Sequence, residues 1–421
     1  MTPSTDPAEQ DGSDVDGSRL LSTDEVGDLL AAAVQRAGGT LVSWRIDQID
    51  TTPRHATTAT YTAMVDWPSG RRAEMLGASA RSGGRSAGDE RAVIFADGER
   101  EVAVWLHPHD PELPGLPRAT QAAPFAALLT EHRVLTGRWD RPVRPDQVQL
   151  EMIGYRPRRR AVLRATVQLG AGVWVGYVKV LRPALFADVL RRHDLLLAAG
   201  LPAPPVVAAT SDSLLVLAQL PGTPLAHAIF DPEPPVRAEQ LVALLDAMPA
   251  PIAELARRRP WSAALDQYAA MILAALPELE PQLSWLTGQI QTGLAGSAPG
   301  DEPTHGDFHE GQLFVDHGGI SGVLDVDTAG PGRRADDLAC LLAHLSTVQR
   351  MDKVQAARVQ RLIRTWAPVF ETRVDPTELR LRTAAVIVSL ATGPYRAQEP
   401  DWRTETTAMV RRAEALVRAL P

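Results

Sequence analysis

The sequence predicts an α+β protein built of two lobes, an antiparallel sheet lobe followed by a mainly helical one, with an extra small α+β module in front. Three observations predict it. Runs rich in β-branched residues and joined by tight turns fill residues 147–181. Pro221-Gly222-Thr223-Pro224 then breaks the chain. Beyond the break, apolar residues recur at helical spacing, and the one exception is a β-turn-loop island at 304–332.

Composition narrows the class. A chain of 421 residues with 45% hydrophobic residues has the length for two or three domains and the means to bury a large core. Its formal net charge of -8 argues against binding a phosphate backbone in bulk. The single cysteine, Cys340, excludes both a disulfide framework and a multi-cysteine zinc site within one chain. The first residues are acidic and polar, without the basic and apolar stretches of a secretory signal. Apolar runs such as 214–221 are too short to span a bilayer. A cytoplasmic protein, with no nucleic acid or membrane as partner, is expected.

Each element has its own signal. Residues 1–18, rich in Asp, Ser, Gly and Pro, predict a disordered tail. Ser22-Thr23-Asp24-Glu25 opens a short helix with Val26, Leu29, Leu30 and Val34 on one face. Strands follow in TTATYTAMVDW, AVIFADG and EVAVWL, with a hairpin turn at Asp97-Gly98. Residues 107–118 read as a linker and 123–136 as a helix. Strands at 147–154, 161–169 and 173–181, a helix at 184–199 and the strand LLVLAQL complete the sheet lobe. Helices are predicted at 237–258, 261–275, 335–348, 354–370, 377–392 and 404–419. This gives a tail at 1–18, a cap-like module at 19–117, a sheet lobe at 118–220 and a helical lobe at 221–421. The stretches TPRHATTATYTAMVDWPSGRRAEML and RPRRRAVLRATVQLGAGVWVGYVKV share one order: basic turn, strand, tight turn, strand. Either the first module resembles the later lobe, or two common hairpins coincide.

The chemistry lies in THGDFHEGQLFVDHGGISGVLDVDTAGPGRRADDL, residues 304–338. Phosphoryl transfer needs a carboxylate to orient the attacking hydroxyl, an amide oxygen on a metal ion, and a second carboxylate on the metal. Asp307, Gln312 five residues later, and Asp325 after a short hairpin have the types and order for those roles. His305 and Gly306 read as architectural, and Asp337 as a helix-end charge.

Taken together, His305-Gly306-Asp307, Gln312, Leu324-Asp325-Val326, Gly330-Pro331-Gly332 and Asp337-Leu338-Ala339 resemble the catalytic and metal loops of the aminoglycoside phosphotransferase family. The resemblance implies a bilobal protein-kinase-like fold, Mg2+, and ATP as co-substrate. Gln312 departs from the family's usual Asn and is similar to maltokinase and glucosamine-kinase types. Val326 stands where an aromatic is usual, and Asp327 adds a carboxylate with a secondary role near substrate or in fixing the loop.

A kinase lobe also needs a strand lysine for the phosphates. Lysine is rare in this chain, and Lys179 sits mid-strand. Asp188 and Asp194 are the candidate acidic partners on the following helix, which has no Glu. No glycine-rich loop is present; Arg158 or Arg159 and backbone amides of that turn are expected over the phosphates. Backbone groups of Val216 to Gln219 are expected at the adenine edge. His309, Glu310, Asp327 and Trp402 are the candidate acceptor-binding groups; their acidic character suits an amine-bearing acceptor, and Trp402 a sugar ring. The expected function is ATP-dependent phosphorylation of a hydroxyl on a sugar, amino sugar or aminoglycoside-like acceptor. Two other readings stay open: a catalytically silent kinase-fold binding protein, and a metal hydrolase using His305 and His309.

Overall fold

The computed structural model describes residues 14, 16–52, 55–82, 92–96, 100–135, 141–170, 172–349 and 351–420. Of the tail predicted over residues 1–18, residues 1–13 and 15 lie outside them, as does the turn at Asp97-Gly98. The chain divides into two compact units, Met1–Asp110 and Pro111–Pro421.

The first unit opens with α1 (Ser18–Ser22) and α2 (Gly27–Arg36). Residues 14 and 16–18, expected within the disordered tail, are ordered. The Asp14 carboxylate accepts hydrogen bonds from the amides of Arg19 and Leu20 at 3.0 and 2.9 Å and pairs with Arg100 at 3.0 Å. An anion at the exposed N–H groups of a helix start is held by them, so this stretch orders. The strands are β1 (Thr40–Thr52), β2 (Ala56–Trp67), β3 (Gly70–Ser82), β4 (Val93–Ala96) and β5 (Arg100–Leu106), in the antiparallel order β1-β2-β3-β5-β4. Leu30 and Val34 of α2 and Tyr61, Val65 and Leu76 of the sheet are fully buried.

The second unit begins with α3 (Leu116–Thr120) and α4 (Ala122–Glu131). Leu113 and Leu116, in the stretch expected to be linker, are fully buried. The sheet holds β6 (Val148–Arg156), β7 (Arg160–Leu169), β8 (Gly172–Leu181), β9 (Val206–Ala209) and β10 (Leu214–Ala218), with α5 (Pro183–Ala198) between β8 and β9. Its order is β6-β7-β8-β10-β9, the same as in the first unit. The two similar stretches of sequence fall on β2–β3 and β7–β8, the second and third strands of each sheet.

After β11 (Thr223–Pro224) come α6 (Leu225–Ala228), α7 (Ala238–Asp246), α8 (Leu265–Ala275) and α9 (Glu280–Leu294). The helix expected over 237–258 stops at Asp246, because Pro249 and Pro251 cannot donate to a helical ladder. α9 was not foreseen. Its buried stripe is only Leu283, Leu286 and Ile290, and Gly288 and Gly293 weaken its signal. β12 (Glu302–Thr304) leads to the hairpin β13 (Leu313–Asp316) and β14 (Gly319–Val323), and β15 (Gly330–Gly332) returns to pair with β12. α10 (Arg334–Thr347), α11 (Lys353–Glu371), α12 (Pro376–Leu390), α13 (Gly393–Arg396) and α14 (Trp402–Arg418) finish the chain.

α10 is the axis of this lobe. Leu338, Leu341, Leu342 and Leu345 enter one core with Phe308, Val326, Trp366 and Phe370. Cys340 and Ala343 enter a second core with residues of α8, α9, α12 and α14. A helix apolar on nearly every side belongs inside a lobe. Among the described residues, no helix is long and apolar enough to cross a membrane.

Candidate active site

The loop between β12 and β13 carries His305-Gly306-Asp307, and α10 holds it from below. The buried Asp337 carboxylate accepts the amides of His305 and Gly306 at 2.9 and 2.8 Å. Asp337 is therefore more than the helix-end charge expected of it: it orients the loop. Burial raises its pKa, against the opposing pull of His305 and Arg334. Gly306 has φ 81°, and a Cβ there would meet the Thr328 carbonyl oxygen at 2.7 Å, so only glycine fits. The buried Phe308 pins the far side.

His305 ties two loops together. Its Nε2 donates to the Leu324 carbonyl at 2.8 Å, and its Nδ1 accepts the Asp307 amide at 3.3 Å. The Leu324 amide in turn donates to the Gln312 carbonyl at 2.7 Å. The β13–β14 hairpin thus brings Gln312 and the Leu324–Asp325 segment side by side. Both ring nitrogens of His305 are committed to the backbone, which removes it from the metal-hydrolase reading. Asp307, His309 and His344 do carry possible ligand atoms within 4.8 Å of one another. The two rings, however, stack 3.9 Å apart at 10°, which directs their nitrogens side by side rather than toward a common ion.

Asp307 is half-buried, and its Oδ1 accepts from the Trp261 indole at 3.2 Å and from the Cys340 thiol at 3.9 Å. Burial, then the nearby carboxylates of Asp307 and Asp337, push the Cys340 thiol well up, so it stays protonated and donates. His309 Nδ1 accepts from the Gly311 amide at 3.1 Å, so Nε2 carries the proton. That nitrogen lies 3.1 Å from the Gln312 carboxamide nitrogen. Burial lowers the pKa of His309 and takes that of His344 down to about 3. Burial also pushes the Glu310 carboxyl up to about 7.

Across the cleft, four charges balance. Lys179, on β8, reaches Asp325 at 3.0 Å and Asp327 at 2.7 Å. Arg160, the first residue of β7, bonds both oxygens of Asp325 at 2.9 and 3.0 Å and lies 3.6 Å from Asp327. Burial weakens the Lys179 cation, but Asp327 and Asp325 outweigh it and raise its pKa. Burial likewise opposes the Asp325 anion, and Lys179 and Arg160 outweigh that to hold its carboxyl well below the usual range. Asp325 adopts the left-handed region at φ 50°, which aspartate tolerates better than most residues.

Several expected placements need correction. Asp188 and Asp194 are exposed on α5, and Lys179 pairs with Asp325 and Asp327 instead. α5 reaches the site through the buried Arg192, whose Nε donates to the Ala329 carbonyl at 2.7 Å. Arg158 is buried in the turn and bonds Glu112 at 3.1 Å, and Arg159 is exposed beside it. The cleft arginine is Arg160, which the expectation missed. Register gives the signal: Val162 pairs with Lys179, so Arg160, two residues earlier, shares the lysine's face. Val216 lies inside the ladders to both β8 and β9, whereas Gln219 stands exposed beyond them. Trp402 is already engaged within the chain: Arg403 lies over its ring at 4.5 Å and Tyr395 makes an edge contact at 4.9 Å. The aromatic residue next to Asp307 is Trp261, signalled only by its place between Pro260 and the start of a helix. Gln312, just before β13, and Asp325, just after β14, offer hard oxygen donors at the same end of the hairpin, a set that suits Mg2+.

Residues 165–372 match the family described as "Phosphotransferase enzyme family". Lys179, Asp307, Gln312 and Asp325 all fall inside the match. Among curated proteins, none matches the chain in sequence. Similar solved structures include a macrolide 2′-phosphotransferase from Brachybacterium faecium, 18% identical, covering 70% of this chain and 98% of that one, with TM-score 0.40. A choline/ethanolamine kinase family protein from Mesorhizobium loti is 18% identical over 70% of this chain and 94% of its own, with TM-score 0.46. A thermostable mutant of the aminoglycoside phosphotransferase APH(4)-Ia, in its apo form, is 16% identical over 65% of this chain and 95% of its own, with TM-score 0.45. The match to that family bears out the resemblance read from the sequence.

Two outcomes follow from this geometry. Asp337→Ala leaves two buried amides without an acceptor, and urea unfolding is expected to register a loss of roughly 2–4 kcal/mol. The folded pKa of His344 lies below its unfolded value, so the unfolded chain takes up the proton first. Stability is therefore lost as pH falls from about 6.5 toward 3, and His344→Phe is expected to flatten that part of the urea-midpoint profile.

Proposed function

We propose that this protein is an ATP-dependent small-molecule kinase that transfers the γ-phosphoryl group to a hydroxyl of a sugar-class acceptor. The observation that carries the reading is the His305 bridge. It fixes the loop presenting Asp307 against the segment presenting Asp325, with Gln312 one hydrogen bond away. A base for the hydroxyl and a charge site for the triphosphate thereby share one cleft.

The roles follow from the contacts. Trp261 and Cys340 hold one oxygen of Asp307, which leaves the other to orient the acceptor hydroxyl and take its proton. Gln312 and Asp325, with Asp327 behind, would hold magnesium, which neutralises phosphate charge when bound. Asp325 and Asp327 now balance Lys179 and Arg160, so a cation on the carboxylates leaves the two basic groups to the phosphate oxygens. Backbone groups from Gln219 onward suit the adenine edge, since they lie past the last ladder pair.

A silent binding protein is the alternative, and the lack of a helix glutamate favoured it. Asp325 and Asp327 give Lys179 its partners without one, which weakens that reading. Asp307→Asn is expected to abolish acceptor-dependent ADP release in a coupled assay and to leave nucleotide affinity nearly unchanged. Asp325→Ala should weaken magnesium-nucleotide binding. Undiminished turnover by Asp307→Asn would remove the proposed base.

A further inference from the structure

The cleft beside the catalytic loop is basic, not acidic. A cavity of about 690 Å³, a size usual for small-molecule sites, is lined by Arg257, Arg258, Arg259, Arg333 and Arg382 against one carboxylate, Asp336. Three of these arginines are neutralised. Arg257 pairs with Asp301 at 2.8 Å, Arg333 with Glu378 at 2.5 Å, and Arg382 with Asp336 at 2.8 Å and Glu378 at 2.7 Å. The other two are not. Arg259 donates only to the Ala263 carbonyl, and Arg258 has no hydrogen bond or ion pair among the described residues. Both are exposed. The cavity meets the reacting centre at Gly306 and at Trp261, whose indole holds Asp307.

We propose that the acceptor is an anionic polyhydroxylated compound, a sugar acid or sugar phosphate, with its charged group on Arg258 and Arg259 and a hydroxyl at Asp307. This rests on the kinase reading above and narrows it. Two guanidinium groups without carboxylate partners recognise carboxylate or phosphate oxygens, and they repel an amine. In the step itself the acceptor oxygen bonds to the γ-phosphorus and the bond from that phosphorus to the β-bridging oxygen breaks. ADP leaves with that electron pair, and the hydroxyl proton passes to Asp307.

The test is a matched acceptor series with the full chain, magnesium-ATP and coupled detection of ADP. Gluconate and glucose 6-phosphate carry the two kinds of anion, glucose carries no charge, and glucosamine carries a cation. One of the anionic acceptors is expected to exceed both others in kcat/KM by about tenfold or more. Arg258→Ala with Arg259→Ala is expected to raise its KM about tenfold with a much smaller change in kcat, and the corresponding lysine pair to recover part of the loss. Preference for glucose or glucosamine, or a KM indifferent to the double substitution, overturns the inference and leaves the kinase reading in place. If none of these acceptors releases ADP, calorimetric titration with gluconate and glucose 6-phosphate decides. Binding that the double alanine variant loses supports the basic site and counts against the kinase reading instead; no binding by the native chain overturns the inference.

Discussion

The Lys179 ammonium, buried between Asp325 and Asp327, is the interaction on which the site depends. It joins β8 of the sheet lobe to the loop after β14 of the helical lobe. Taking such groups out of water is costly, and the arrangement holds only because each charge meets an opposite one. Arg160 completes the balance, two cations against two anions. Lys179 is also one of only two lysines in a chain that otherwise uses arginine, which fits a position needing a compact point charge. The same balance is what a bound metal and triphosphate would rearrange, so under the proposed function one cluster would serve both cohesion between lobes and recognition of the nucleotide.

One face of α10 does for the catalytic loop what this cluster does for the cleft. Asp337, Cys340 and His344 are spaced by three and four residues and so line up along the helix. They meet, in turn, the amides of His305 and Gly306, the carboxylate of Asp307, and the ring of His309. The helix is itself clamped between two cores, so its position is fixed by packing, and that rigidity passes to the loop.

The two-lobed plan was legible in the sequence because strand alternation and helix periodicity are strong in the second unit. The spacing from Asp307 to Gln312 and Asp325 was legible because a hairpin has few ways to return. What escaped had weak local signals. α9 has a three-residue buried stripe interrupted by glycines, and the helix begun at Ala238 ends at prolines that a periodic pattern overlooks. Arg158 or Arg159 was expected rather than Arg160 because composition marks a basic turn, while only register tells which arginine shares a face with Lys179. The partners of Lys179 were sought on α5, the nearest helix in sequence, when they lie 146 and 148 residues away. Trp261 and the basic cleft are products of tertiary folding, since the Arg257–Arg259 loop meets the catalytic loop only in three dimensions.

The most direct measurement of the central claim is calorimetric titration of a non-hydrolysable ATP analogue, with magnesium, into the native chain and into Lys179→Met. If the Lys179 cluster is the nucleotide site, the native chain binds one analogue and the variant binds it about tenfold more weakly or worse. Equal affinity in a variant that remains folded by circular dichroism would contradict it.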